Sequence, residues 1–367
     1  PPVFSNDCFS LPAGVDWVPV DQALDMLRMR MICSVGKQDI ATGEASGRVL
    51  AKAALASRAN PPGANSAVDG YGFLYSATDD GPQVLKLVAG RAAAGAPLRE
   101  SVPAGQATRI LTGALLPDGV DTVVLQEDVT LGDGYIAFRG PVKQGANTRK
   151  AGEDVTQNDR LFSAGHVIMP QDIALLSAVG LSQIRVYRKL RVGVLSTGDE
   201  VIQAGKISGP EKTYDANKPM LLALAQRWHY DPVDLGHAPD DRHELRKILN
   251  SATGQVDVIL TSGGASAGDE DHVSALLQQS GSLAMWRIAL KPGRPLALGV
   301  WKGAPLFGLP GNPVAALICT LLFARPAMSV LAGGDWIEPQ GFMLPAAFAK
   351  NKKPGRKEFL RARVTAQ

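Results

Sequence analysis

From Lys189 onward the chain alternates short β-branched runs with amphipathic helical stretches, and this alternation constrains the fold more than any other feature of the sequence. LRVGVLS, PVDLG, VDVILTS, PLALGV and PLFGLP read as strands, NKPMLLALAQRW, DRHELRKILNSA and DHVSALLQQS read as the helices between them, and a further helix starts at Pro313. Alternation at this spacing specifies a parallel sheet with helices on both faces, a doubly wound α/β domain over 188–332. Ligands of such sheets sit beyond the carboxyl ends of the strands. The loops after VLS, VILTS and FGLP are therefore where chemistry is expected.

A chain of 367 residues exceeds one domain, and the texture before Lys189 is different. Asp21 to Arg30 spaces Ala23, Leu24, Leu27 and Met31 at helical intervals, and Met26, Met29 and Met31 on or beside it read as packing residues. From about Asn60 to Gly145, short β-branched runs (VLKLV, TRIL, TVVLQ, YIAF) are broken by PPG, DDGP, PDG and GDG, the pattern of a small β module. GHVIMPQDIALLSAVGLSQIRVYRK then returns to a helix (Ile173, Leu176, Val179), a stop at Gly180 and a strand. The expected order is an α+β domain split over 1–58 and 146–187, a β module inserted at 59–145, and the doubly wound domain. From Gly333-Gly334 a β-like stretch (GFMLPAAFAKN, EFLRARV) over 333–367 reads as the start of a C-terminal β domain that is truncated at Gln367.

Composition excludes several classes. Hydrophobic residues at 45% and charged residues at 20% are the balance of a soluble globular protein. The net charge of +3 is small and no run of five Lys/Arg marks a nucleic-acid arm. Cys8, Cys33 and Cys319 lack CxxC spacing, so neither a disulfide framework nor a zinc site is expected and a reducing cytoplasm fits. The longest apolar stretch, Val314 to Ala324, stops at Arg325-Pro326, too short for a bilayer, and the N-terminus lacks a signal-peptide pattern. Histidines 166, 229, 237, 243 and 272 form no HExxH, and no GxSxG elbow is present, which excludes the common zinc and acyl-enzyme mechanisms.

Thr261-Ser262-Gly263-Gly264-Ala265-Ser266-Ala267-Gly268 joins a strand to a helix with bare amides at the helix N-terminus, a place that binds phosphate or another oxyanion, or serves as a tight connection alone. Gly308 to Pro313, GLPGNP, repeats the arrangement one strand later, with Asn312 equally suited to a plain helix cap. Lys291-Pro292-Gly293-Arg294-Pro295 places two cations in a chain stiffened by prolines, suited to a tetrahedral oxyanion or else simply exposed. Acidic residues gather in STGDE (Asp199, Glu200), APDD (Asp240, Asp241) and GDED (Asp269, Glu270, Asp271). Carboxylates beside a phosphate site imply a divalent metal, with magnesium the natural candidate, while Asp240 could instead cap the following helix.

The ordered set NSAVDGYG, RILTGALLP, NTRKAGED, LSTGDE, Asp215 to Asn217, PDD, TSGGASAGDED, WRIALKPGRP and FGLPGNPVAAL resembles the molybdopterin molybdenumtransferase family, the MoeA-type proteins that include the gephyrin E domain. The resemblance runs from about residue 15 to 365. It implies a multidomain fold with a MogA-like doubly wound domain, and insertion of molybdenum from molybdate into adenylylated molybdopterin with release of AMP, assisted by Mg2+. It assigns Asp69, Thr112, Glu200, Asp240, Asp271 and Lys291 to catalysis. Arg149, Ser262, Gly263, Gly264, Ser266, Gly268, Pro310, Gly311 and Asn312 would bind the pterin and nucleotide phosphates. Ser266, Lys291, Arg294, Pro295 and Arg356 would approach molybdate, and Asp154, Glu200, Asp240 and Asp271 the metal.

The resemblance also implies a homodimer in which the β module of one subunit faces the α/β domain of the other. Molybdopterin adenylyltransferase and apo-molybdoenzymes or their chaperones would be further partners, with neither nucleic acid nor membrane involved. The sequence departs from the family at Arg287 and Arg294, where lysine is usual, at Ala315 in place of a serine, and at Gly72 in place of an alanine. A planar guanidinium is not a point charge, so the oxyanion geometry would differ. Two alternatives stay open at this level: molybdopterin adenylylation, and a non-catalytic gephyrin-like scaffold.

Overall fold

The structure, a computed structural model, describes residues 18–207, 209–263, 272–280, 283–293, 295–351 and 356–364. Its centre is a six-stranded sheet in the order Asp231–Ala238, Arg191–Thr197, Val258–Ser262, Ala304–Leu309, Pro295–Trp301, Leu283–Arg287. The first four strands are parallel, as expected, but Pro295–Trp301 runs against both its neighbours. The reason is local. Lys302 and Gly303 both take positive φ, 45° and 91°, which gives the two-residue hairpin turn whose twist suits antiparallel strands. The strand Leu283–Arg287 was not among those read from the sequence.

Period-2 alternation divides the sheet's apolar residues between two layers. Val192, Val194, Val258, Leu260, Phe307 and Leu309 face one cluster, together with Leu221 and Ala225 of helix Asn217–Arg227. Leu195, Ile259 and Leu306 face the other, with Leu245 and Leu249 of helix Arg242–Ala252 and Leu276 and Leu277 of helix His272–Gln279. After Arg191–Thr197 the chain moves to the Asp231–Ala238 edge and then back across to Val258–Ser262. Strand order thus reverses beside Arg191–Thr197, and the crevice lies at its carboxyl end.

One helix differs from expectation. Helix Val20–Arg30 buries Val20, Ala23 and Leu27, and with Met31 just beyond it joins the α/β core rather than the α+β domain. An amphipathic stripe specifies that a face is buried, and not against which neighbour. The helix from Pro313 runs on past the end of that apolar stretch at Arg325-Pro326. A π-helical turn over Thr320–Ala324 passes without a break into Arg325–Leu331, just ahead of Pro326, whose ring and missing N–H are the kind of interior disturbance a π-turn accommodates. Pro313–Leu331 has the length and composition to cross a bilayer, yet 67% of its apolar window is buried inside the protein, the setting of a core helix.

Lys37–Ala41 pairs antiparallel with Gln183–Tyr187, and with helix Pro170–Ala178 encloses Leu50, Ile168, Leu176 and Val186 in a separate α+β core. The β module is a six-stranded sheet from Gly70 to Arg139, in the order Thr122–Leu125, Gly70–Phe73, Gln106–Ile110, Pro82–Ala92, Tyr135–Arg139, Thr130–Gly132. GFMLPAAFAKN forms no strand, and Phe342 and Met343 are 85% and 100% exposed. A strand needs an edge to pair with, and among the described residues of the C-terminal stretch only Lys357–Glu358 has one, lying parallel to Leu290–Lys291.

Candidate functional site

The site is built at the carboxyl ends of the parallel strands, and Asn217 organises it. Ser196, at the end of its strand, donates to Asp215 Oδ2, and the other Asp215 oxygen accepts from Lys218 N at 3.0 Å, so helix Asn217–Arg227 starts at a fixed place. Asn217, 6% exposed, donates from Nδ2 to Ser262 Oγ and to Gly311 O, each at 2.7 Å. One amide thereby ties the loop after Val258–Ser262 to the loop after Ala304–Leu309. Asn217 Oδ1 and Thr261 Oγ1 are buried without a protein partner, which leaves polar capacity beneath both loops.

Gly263 has φ +94°, and a Cβ there would lie 2.8 Å from Thr197 O. Only glycine lets this loop close on the neighbouring strand. Its N–H donates to Leu309 O at 3.2 Å. The capping alternative for Asn312 is realised: its Oδ1 accepts from Val314 N and Ala315 N at 3.0 and 3.1 Å. Gly264, Ser266, Gly268, Asp271 and Arg294 lie outside the described residues, and of Pro295 only the backbone is described, as the start of a strand.

Lys291 stands on the strand that pairs with Lys357–Glu358. Gly293, φ +107°, brings the turn against helix Pro313–Cys319, where a Cβ would lie 2.8 Å from Cys319 Sγ and 3.7 Å from Ala315 Cβ. Burial pushes that thiol up to about 12, so it stays protonated and serves as packing. A cleft of 710 Å³ joins this turn to the LPGNP loop, lined by Lys291, Pro292, Asn312, Lys350, Glu358 and Arg361. Arg356, which directly precedes the Lys357–Glu358 pairing but is not among the residues lining the cleft, is half-buried, with Nη1 buried and unpartnered.

At the same end of the sheet, Asp199 and Asp240 clasp each other. Each carboxylate accepts the other's backbone N–H at 3.0 Å. Glu200 is exposed next to them, and His237 Nε2 donates to Gly198 O at 2.7 Å. The helix cap entertained for Asp240 belongs to Asp241, whose Oδ1 accepts from Glu244 N at 2.8 Å. Among the described residues no three His, Cys, Asp or Glu side chains gather closely enough to hold a metal ion. The expected quartet is therefore not assembled from its three described members, Asp154, Glu200 and Asp240.

The remaining expected residues form a second group at the root of the β module. Asp69 Oδ1 accepts from both the N–H and the hydroxyl of Thr112 at 2.7 Å, and these bonds, the backbone one foremost, hold its carboxyl below the usual range. Arg149 lies opposite Asn65 in a two-strand pairing and binds Glu153 at 3.1 Å and Asp154. Asp154 is thus engaged by a cation. Among the described residues no hydrogen bond or ion pair joins this group to the α/β loops.

Asp215 and Asn217 belong to the motif set that carries the resemblance but had no expected role, and Lys350 and Glu358 had none either. An Asp-x-Asn ahead of a helix that follows a strand end was the available signal for the first two. The last two depend on a strand pairing across 67 positions, which no local pattern reveals.

Residues 18–180 match the family described as MoeA N-terminal region (domain I and II), and residues 193–329 the one described as probable molybdopterin binding domain. A Haemophilus influenzae protein named molybdopterin molybdenumtransferase is 39% identical over 87% of this chain and 79% of its own length. One of the same name from Nostoc sp. is 33% identical over 79% of this chain and 68% of its own. The crystal structure of a molybdopterin biosynthesis moeA protein from Pyrococcus horikoshii superposes with a TM-score of 0.75 at 29% identity, over 87% of this chain and 80% of that one.

Proposed function

The chain belongs to the molybdopterin molybdenumtransferase family, a transferase of molybdenum cofactor biosynthesis, and from that membership we propose that it inserts molybdenum from molybdate into adenylylated molybdopterin and releases AMP. The observation that carries this reading is the single cleft shared by Asn312 and Lys291. A phosphate-type loop and a cationic turn on one wall suit a phosphorylated pterin and a tetrahedral oxyanion held side by side.

In this reading the Ser262-Gly263 and Pro310-Gly311-Asn312 loops hold the pterin and nucleotide phosphates, with Asn217 fixing their separation. Lys291, Arg356 and, outside the described residues, Ser266 and Arg294 orient molybdate and offset the charge that builds as its oxygen leaves. Glu200 and Asp240, with Asp271 outside the described residues, are the hard oxygen donors that would hold Mg2+. They fit it in kind: Asp199 and Asp240 each use one oxygen on a backbone N–H and keep another, and magnesium commonly takes one or two carboxylates and fills its shell from phosphate and water. When bound, the ion supplies neutralisation of the phosphoanhydride charge. Asp154 acts instead by orienting Arg149.

The β-module group then serves the α/β domain of a second copy, in a homodimer, with Asp69 and Thr112 presented across the interface. The protein would work in the cytoplasm, receive substrate from molybdopterin adenylyltransferase and deliver product to apo-molybdoenzymes or their chaperones. The test is direct. Purified protein incubated with adenylylated molybdopterin, Mg2+ and molybdate releases AMP and yields metal-loaded cofactor, followed by chromatography and metal analysis. If neither product forms, the reading fails.

A further inference from the structure

Two cations of the cleft converge on one carboxylate. Lys291 Nζ and Lys350 Nζ both reach Glu358 Oε1, at 3.0 and 2.7 Å. The backbone sets this up. Lys357 N donates to Ala289 O and Phe359 N to Lys291 O, each at 2.8 Å, which fixes Glu358 beside Lys291 in a short parallel pairing. Neighbouring strand residues point to opposite faces. Lys357 accordingly turns away to Asp21, at 3.0 Å, while Glu358 enters the cleft with only 12% of its side chain exposed.

We infer that Glu358 is a specificity-determining residue of the oxyanion cleft, a built-in competitor that an incoming anion must displace from Lys291 and Lys350. The inference rests on the oxyanion role proposed for Lys291. Without this carboxylate, Lys291, Lys350 and Arg361 would attract any small anion by charge alone. With it, both ammonium groups already have a partner, and an anion gains only by binding them better than Glu358 does. A tetrahedral dianion that bridges two ammonium groups meets that demand, and an anion that satisfies one does not. The lysines in turn hold the Glu358 carboxyl below its ordinary range, Lys350 foremost, so the competitor stays charged at neutral pH.

The test uses molybdate and sulfate alone, titrated calorimetrically into the purified protein at constant ionic strength. Glu358→Gln keeps the shape and an acceptor oxygen but removes the charge, and it should bind both anions about threefold to tenfold more tightly, the scale on which partly exposed charge pairs act. Glu358→Asp, which keeps the charge, should stay near wild type, and Lys291→Ala should weaken both. A carboxylate that only braced the strand would lower stability on Glu358→Gln without tightening anion binding, so unchanged, weaker or undetectable binding by that variant overturns the inference. Tighter anion binding without AMP release in the insertion assay would sink the proposed reaction and leave the role of Glu358 standing.

Discussion

The two ends of the parallel strands carry charge for opposite purposes. At the amino end Asp257, immediately ahead of Val258–Ser262, receives bonds from the Arg188 and Arg191 guanidinium groups at 2.8 to 3.3 Å and from Arg191 N at 2.8 Å. Its side chain is 8% exposed, and it pairs with both arginines. At the carboxyl end Lys291 is 59% exposed in an open cleft, and polar atoms of Asn217 and Thr261 are buried without partners. The first arrangement contributes stability, and the second keeps binding capacity in reserve.

The largest effect expected from this contrast is on turnover. Lys291→Ala should cut AMP release about 10²- to 10³-fold, as loss of one group aimed at developing oxyanion charge does, while the urea midpoint stays close to wild type. A variant that unfolds as readily as an Asp257 variant would erase the distinction between the two ends.

Asp257→Ala should do the reverse. It leaves Arg188 and Arg191 without the carboxylate they share, and a stability loss of about 2 to 3 kcal/mol is expected in urea unfolding, below the cost of breaking a fully buried pair because both arginines are partly exposed. Turnover per folded molecule should be unchanged.

A somewhat smaller effect should appear on acidification. Burial alone would raise the Asp257 pKa, but the bonds from Arg188 and Arg191 outweigh it and bring the carboxyl to about 2, below its ordinary 3.8. A depressed carboxyl gives stability that is complete above its unfolded pKa and lost as pH falls through the folded one. About 2 kcal/mol should therefore disappear between pH 4 and pH 2, seen as a fall in urea midpoint that Asp257→Asn lacks. Equal acid sensitivity in the two proteins would remove Asp257 from the account.

This contrast also marks what the sequence could reveal. The carboxyl end was legible because glycine turns after β-branched runs are local signals: Gly263 and Asn312 fall at strand ends where the pattern put them. The amino end was not, because the Arg188–Asp257 pairing spans 69 positions and an isolated Asp before a strand has no special composition. The same limit hid Glu358. The hairpin at Lys302-Gly303 was legible in principle, but a short apolar run reads alike in parallel and antiparallel settings. Helix Val20–Arg30 showed its apolar stripe without showing which core would bury it.

The smallest expected effect bears on the second group of residues, at the β-module root. Asp69, Thr112 and Arg149 are bonded among their own neighbours and, among the described residues, have no bond to the α/β loops. If each site joins Asp69 of one subunit to Lys291 of the other, Asp69→Ala and Lys291→Ala proteins are each inactive. A dimer containing one of each then has one intact site and one doubly defective site. Random reassociation makes half of the dimers mixed, so activity should recover to about a quarter of wild type. Recovery should follow the fraction of mixed dimers isolated by two affinity tags. A mixture that stays inactive despite proven exchange would put both groups to work within one chain, and the separation of Asp69 from Lys291 would then demand a closure of the β module onto its own α/β domain.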